Sequence, residues 1–345
     1  MHDGRSTVSS LRPARSGEDV RLLVPRAGLD LEIELLQDLA PRTAAALVAA
    51  LPCAGLATSE STYGSVVCLR LPNYPGPLEP ENATTFPIPG DVFVYQREHG
   101  LELVVYYERM GGVPAGSPFD ALGPKAGNRV GTVVSDLTPA ACDAARSIWQ
   151  RGAAWGVVAA WGSAELASVE DDPAAAAAEI AARLAAWARR TRRDHVGPPA
   201  TGERRIALII PEYDARTEVE LLPRLAPHAC EEVWSHLPIE TPLMHGRYSG
   251  PEMFTQVGGK QWHWTPKAEN MTAYPIPGDL VLYIDPPPRI QINYFHDRDP
   301  VPYGTPPPES GIRVGQSVGD FHDFAEACVR VGLEGWKTLV VERAM

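Results

Sequence analysis

The chain has 345 residues, 44% hydrophobic and 21% charged, an ordinary globular composition long enough for two domains with a core each. Its net charge is −12 and its longest basic run is Arg189-Arg190-Thr191-Arg192-Arg193, which argues against a nucleic-acid duplex or an anionic membrane as main partner. No apolar run approaches a membrane span, no secretory apolar segment stands in the first 18 residues, and five scattered cysteines lack CxxC spacing, so a cytoplasmic protein with reduced thiols is expected.

Residues 1–18 read as a flexible N-terminus, and 19–162 as a first domain. There a strand over Val20–Val24 leads to a second over 31–35. A short helix follows, with Pro41 in its first turn, where a missing N–H costs nothing. It ends before Leu51-Pro52, because the residue ahead of a proline disfavours helix. A Pro-Gly turn precedes a strand over 91–95; another strand (101–107), a helix (139–150) and a closing strand (157–161) complete the unit. Residues 163–203 read as a helical linker. Asp171-Asp172-Pro173 opens it and the arginine run closes it, complementing the helix dipole, and Ile180, Leu184 and Trp187 share one face that predicts docking.

Residues 204–345 repeat the first domain. Residues 81–95 read ENATTFPIPGDVFVY and 269–283 read ENMTAYPIPGDLVLY, identical at nine of fifteen positions. Glu34-Leu35-Leu36 and Leu39-Ala40-Pro41 recur as Glu220-Leu221-Leu222 and Leu225-Ala226-Pro227, Leu51-Pro52 as Leu237-Pro238, and Arg129-Val130-Gly131 as Arg313-Val314-Gly315. The order ββαβ…βαβ in each half predicts a mainly β fold with α: an antiparallel sheet or barrel with two helices covering its openings.

The helix entry ELL…LAP, the following LP, the stretch His245-Gly246-Arg247-Tyr248-Ser249-Gly250-Pro251-Glu252 and the ENxTxYPxPGD segment resemble the bacterial cyclophilin-like domains of unknown function. More distantly they resemble the cyclophilin-like domains beside amidohydrolase and oxoprolinase components, allophanate hydrolase among them. The resemblance covers nearly all of 205–345 and, more loosely, 19–161. It implies two tandem cyclophilin-like barrels and no established reaction. Prolyl isomerisation ranks last, since Phe254-Thr255-Gln256-Val257-Gly258-Gly259 misplaces its Gln relative to the Gly pair of true isomerases.

Six of nine histidines lie in the second copy, and Ser59, Ser61 and Thr62 stand where it has His245, Arg247 and Tyr248. A site is therefore expected in the second barrel, with the first degenerate. The expected catalytic set is His245, Glu252 and Arg247: the guanidinium holds an anionic group, and the imidazole and carboxylate exchange protons. Tyr248, Trp262, His263, Trp264, Asn270, Tyr294 and His296 are the expected substrate-binding walls. His228, His236 and His322 read as surface or helix-end residues, and Asn82 and Asn270 have an alternative role in pinning a loop.

The spacing of His245, His263 and His296 matches no metal motif, and no phosphate loop or nucleophile elbow appears, so neither metal nor cofactor is expected. The leading reading is a small-molecule enzyme performing proton transfer, hydrolysis or ring opening on a small anionic or amide-bearing substrate. Its rival is a ligand-binding or scaffold module that forms a homo-oligomer or assembles with a hydrolase partner.

Overall fold

A computed structural model describes residues 19–60, 65–85, 87–97, 100–108, 119–120, 123–124, 126–246, 251–258, 267–285, 289–297 and 310–344. The first half contains β1 (Val20–Val24), β2 (Leu29–Leu35), α1 (Pro41–Ala49), β3 (Cys53–Glu60), β4 (Ser65–Arg70) and β5 (Ala83–Thr84). It continues with β6 (Asp91–Arg97), β7 (Gly100–Glu108), the short pair β8 (Phe119–Asp120) and β9 (Gly123–Pro124), β10 (Gly127–Val133), α2 (Pro139–Arg151) and β11 (Ala154–Ala160). The linker carries α3 (Ala164–Ala167) and α4 (Pro173–Thr191). The second half has β12 (Arg205–Ile210), β13 (Ala215–Leu221), α5 (Pro227–Ser235), β14 (Ile239–Gly246), β15 (Glu252–Gly258) and β16 (Met271–Thr272). It closes with β17 (Asp279–Asp285), β18 (Arg289–Phe295), β19 (Gly311–Ser317), α6 (His322–Glu334) and β20 (Lys337–Arg343).

Each half closes an eight-stranded antiparallel barrel. The first runs β2-β1-β11-β3-β4-β7-β6-β10 and returns to β2; the second runs β13-β12-β20-β14-β15-β18-β17-β19 and returns to β13. Closure pairs each of these eight strands on both sides, and the two-residue β5 and β16 add to β10 and β19. Alternation explains how the strands face: in β2 Leu29, Leu31, Ile33 and Leu35 are buried while Asp30 and Glu34 are exposed. Apolar side chains fill both interiors, among them Leu31, Leu47 and Val105 in the first barrel and Leu208, Val219 and Leu282 in the second. No described helix is long and apolar enough to cross a membrane. β3 and β14 occupy stretches for which the sequence suggests no strand, because CAGLATSE and IETPLMHG are poor in β-branched and aromatic residues.

The repeated polar motif is architectural. Ala40 and Ala226, at the N-caps of α1 and α5, have no side chain to cap with. Glutamates from a distant loop do so instead: Glu81 accepts from the Thr43 amide at 2.7 Å, and Glu269 from the His228 and Ala229 amides at 3.1 and 3.2 Å. Burial alone would raise the Glu81 carboxyl, but the Thr43 amide and hydroxyl and Arg42 overcome it and hold it at about 2. Asn82 and Asn270 take positive φ (46° and 43°) and donate from Nδ2 to the carbonyls of Arg129 and Arg313, at 2.8 and 2.7 Å. Asp91 and Asp279 close the Pro-Gly turn by accepting from the Ile88 and Ile276 amides, and also bind Nε of Arg129 and Arg313.

The barrels meet about a local two-fold axis. The Ala153 amide donates to the Leu333 carbonyl at 2.8 Å, and the Trp336 amide to the Gln150 carbonyl at 3.0 Å, two bonds related by the repeat. Gly152 and Gly335 lie between them, and a Cβ on Gly335 would stand 2.5 Å from the Gly152 nitrogen. The linker helix α4 breaks this symmetry. Its Ile180 and Leu184 pack with Leu56, Ala153 and Leu333, and the Glu179 carboxylate accepts from the Leu56 amide at 3.0 Å. Trp187 joins the core of the second barrel.

Candidate functional site

Strand register separates two residues that the sequence reading joined. His245 on β14 lies opposite Met253 on β15, and Gly246 opposite Glu252. Successive side chains on a strand alternate, so Glu252 faces the other side of the sheet from His245 and Met253. Met253 belongs to the barrel core. Glu252 is fully buried on the outer face, where it accepts from Asn293 Nδ2 at 3.1 Å and lies opposite Phe295. The His245–Glu252 acid–base pair is thus corrected: a two-residue displacement on neighbouring strands would have kept them on one face, and the observed register does not.

His245 meets imidazoles instead. Its Nε2 is 2.8 Å from Nε2 of His296, which follows β18. The backbone carbonyl of His296 accepts from Nε2 of His195, in the linker, at 2.8 Å, and Nδ1 of His195 is 2.9 Å from Nδ1 of His322 at the start of α6. All four rings are buried. Because a carbonyl only accepts, His195 carries its proton on Nε2 and in its neutral form presents a bare Nδ1; His322 must then donate from Nδ1. Trp187 stacks on both rings of this pair, with centroids 5.1 and 5.4 Å away, and its indole N–H donates to Asp297 at 2.8 Å. Burial pushes the His195 imidazole below its usual range, and the neighbouring His322 ring acts in the same direction. Burial, then the rings of His245 and His195, hold His296 well below that range. The expectation that His322 is a surface or capping residue is therefore corrected: it and His195 form the buried seam beneath the linker helix.

His245 also lines a cavity of about 560 Å³ between the linker helix, α6 and the end of β4. One wall is α4, with Glu179, Ala182, Arg183, Ala186, Trp187 and Arg190; Arg70 of β4 and Val329, Gly332 and Leu333 of α6 complete it. Arg183 is held by Glu179 through Nε at 3.0 Å and through its second guanidinium nitrogen. Three arginines and one glutamate thus line a partly apolar cavity, a composition that suits an organic anion. Gly332 makes room for the imidazole: a Cβ there would lie 3.1 Å from the His245 ring.

The first barrel supplies an internal control. Ser59 and Tyr107 occupy the positions of His245 and His296 and are hydrogen-bonded there as well, Oγ to OH at 3.4 Å. The contact survives in both copies, but only the second fills it with a pair of imidazoles. At the Gly332 position α2 has Trp149. On the outer face Val66 and Val104 stand where the second barrel buries Glu252 and Asn293.

Other expected residues have structural places. Tyr294 lies in the second barrel's interior, its hydroxyl 2.8 Å from Ser317 Oγ and its ring edge-on to Phe324, so it is corrected from ligand wall to core. Asn270 takes the alternative role named for it, pinning the loop before the Pro-Gly turn. Arg247, Tyr248, Trp262, His263 and Trp264 lie outside the described residues. Among the described residues no group of three or more His, Cys, Asp or Glu side chains is arranged to hold a metal ion. Arg70, Arg183, Arg190, Trp187 and His195 were absent from the sequence-based site; the one sequence cue was Trp187, on the docking face of the linker helix.

A family model described as "Protein of unknown function (DUF3830)" matches residues 22–158 and again residues 208–340. No curated protein matches the chain. Among solved structures, the solution structure of the hypothetical protein AF2241 from Archaeoglobus fulgidus is 23% identical, covers 41% of this chain and 95% of its own, and has a TM-score of 0.30. The structure of McbB in complex with tryptophan is 17% identical over 50% of this chain and 55% of its own, with a TM-score of 0.34. At those scores neither likeness carries an argument about activity.

Proposed function

Since the chain belongs to the DUF3830 family through both of its barrels, and that family assigns no reaction, we propose from the site alone that the protein binds a small organic anion between the barrels and acts on it by proton transfer through His245. The observation that carries this reading is the placing of a buried imidazole, itself hydrogen-bonded to a second imidazole, in the wall of a cavity with three arginines. Arg70, Arg183 and Arg190 take the anchoring role, and His245 is the acid–base group. His296 is a positioning residue: exactly one proton fits between the two Nε2 atoms, so His296 governs which nitrogen of His245 is bare. The exposed arginines at the end of α4 give a protein of net charge −12 a local positive rim that draws anions inward.

Two measurements test it. Thermal shift against a panel of small carboxylates should stabilise wild type, with saturation at 100 times Kd adding about 2.7 kcal/mol, and should stabilise Arg190→Ala less. Incubation of the stabilising acid with enzyme in D2O should then place deuterium in the ligand, and His245→Gln should bind the acid without exchanging it. A flat panel together with absent exchange rejects the reading.

A second reading, a module that docks on a partner, is favoured by exposed apolar residues at matching places in both barrels: Leu39 with Leu225, and Ile88 with Ile276. The finer kinship, that these barrels are cyclophilin-like and related to components that assemble with hydrolases, is part of the same proposal. It rests on the ELL…LAP, LP and ENxTxYPxPGD residues quoted above. Co-purification of one defined hydrolase, lost on Ile276→Glu, is its test.

A further inference from the structure

The two barrels hold one and the same short segment in different ways. In the first, Tyr107 and Glu108 end β7, and helix α2 of that barrel fixes both. The Cys142 thiol donates to the Tyr107 carbonyl at 3.5 Å, and the Arg146 guanidinium to the Glu108 carboxylate at 2.6 Å. In the second barrel the equivalent segment is His296-Asp297 and the equivalent helix is α6. Both helices have 13 residues and stop at a glycine, so Ala325 stands at the Cys142 position and Val329 at the Arg146 position. Neither side chain has a donor. The linker supplies both bonds instead: Nε2 of His195 donates to the His296 carbonyl at 2.8 Å, and the Trp187 indole N–H to the Asp297 carboxylate at 2.8 Å. His195 is itself stitched to the second barrel. Its carbonyl accepts from the Phe321 amide at 3.0 Å, and the Gly197 amide donates to the Gly319 carbonyl at 2.7 Å. A Cβ on Gly197 would lie 2.0 Å from the Ser317 carbonyl oxygen, so glycine is what permits that approach.

We infer that the linker positions the imidazole pair: His195 and Trp187 hold His296 against His245, in the role that the barrel's own helix plays in the first copy. This deepens the proton-transfer reading above, on which it rests for what the pair does, by placing control of the pair in the connection between the barrels. Strand β18 ends at Phe295, and beyond it the His296 amide binds the Pro251 carbonyl at 3.0 Å. The linker holds the carbonyl side of His296 and the residue after it, and these set how the residue and its ring are turned. The ring has little latitude, because a hydrogen bond of 2.8 Å between two imidazole nitrogens weakens steeply as its angle departs from linear. His245 is tied from outside its barrel as well, its carbonyl accepting from the Trp149 indole N–H of α2 at 3.4 Å. Because α4 is also a wall of the cavity, docking of one helix completes the cavity and sets the pair together.

The test is nuclear magnetic resonance of the full chain with isotope-labelled histidine, read through the scalar coupling that two nitrogens share across a hydrogen bond. Wild type should show this coupling between Nε2 of His245 and Nε2 of His296. His195→Leu, which removes the donor, should abolish it. His195→Gln, whose amide donates to the same carbonyl, should restore at least half of it. Trp187→Phe keeps an aromatic ring beside the two imidazoles and removes the N–H that binds Asp297; it should weaken the coupling at least twofold, and it carries the test if His195→Leu does not fold. Full coupling in His195→Leu, or in Trp187→Phe where the leucine variant does not fold, overturns the linker's role. A loss that glutamine fails to restore overturns it too, since His195 would then serve packing alone. No ligand enters the experiment, so it stands apart from the carboxylate panel. A flat panel rejects anion binding and leaves the linker's role intact, whereas absence of the coupling from wild type removes the pair on which both rest.

Discussion

His195 and His296 are neutral because the fold encloses them, and this makes stability depend on pH. In the unfolded chain a histidine takes up its proton near pH 6.5, whereas burial holds these two lower in the native state. Between the unfolded value and the depressed native values the unfolded chain binds more protons, so acid favours unfolding. Stability should be complete above about pH 6.5 and decline as pH falls through the window beneath it. Urea midpoints at pH 8.0 and 5.5 check this: a lower midpoint at 5.5 is expected in wild type, with a smaller difference in His195→Gln. A midpoint independent of pH would mean that these rings reach solvent. Carboxylates contribute little to that comparison, since their ordinary values lie near 4.

At the scale of elements, the loop that carries the Glu-Asn-x-Thr motif acts as a detached cap for a helix nearly forty residues earlier in the chain. Glu81→Gln keeps a weaker acceptor and loses the charge that the α1 N-terminus favours, for a cost of about 1 kcal/mol. Glu81→Ala should cost more, and the cost of either variant relative to wild type should shrink in acid, because the stabilisation held by a carboxyl at about 2 is present above the usual carboxylate range and lost as pH falls towards that value. Denaturation of wild type and both variants at pH 7 and pH 2.5 is the measurement. This motif also marks what the sequence could reveal. Glu81, Asn82 and Asp91 recur at one offset and Arg129 four residues off it, because their bonds tie loop, turn and strand together inside each barrel, so the repeat and most of its strands were visible without a structure. The site obeyed no such rule. His195 and His322 touch across 127 positions, and His245 meets His296 across 51. The pairing of His245 with Glu252 was inferred from nearness in sequence, whereas a β-sheet sets neighbours by register. The linker helix could be predicted to dock, but its role as a cavity wall depended on which barrel surfaces it bridges.

At the scale of the whole molecule, two barrels related by an internal axis share one unduplicated helix. The surface that receives α4 is apolar, with Leu56, Ala153, Trp155, Val329 and Leu333. The positions related to these by the repeat are Pro242, Trp336, Thr338, Arg146 and Gln150, with Pro242 and Gln150 exposed. That mostly polar set offers a second helix little to bury. The axis itself depends on close backbone approach. Gly335 has φ +85°, and a methyl group there would meet the Gly152 nitrogen at 2.5 Å. Gly335→Ala should therefore cost more than 2 kcal/mol through strain and lost contact. In calorimetry, two melting transitions in place of one would show that the barrels had come apart while each stayed folded.

The lone helix also fixes a stoichiometry. Twofold objects ordinarily bind ligands in pairs, and a titration of such a molecule has two equivalents to fill, with the option of cooperation between them. Here the second equivalent was removed by leaving one linker to serve two barrels: duplication supplied two candidate faces, and a single connection could complete only one of them. The interdomain cavity should thus saturate at one molecule per chain with a simple hyperbola, and any sigmoid response would have to come from assembly of whole chains.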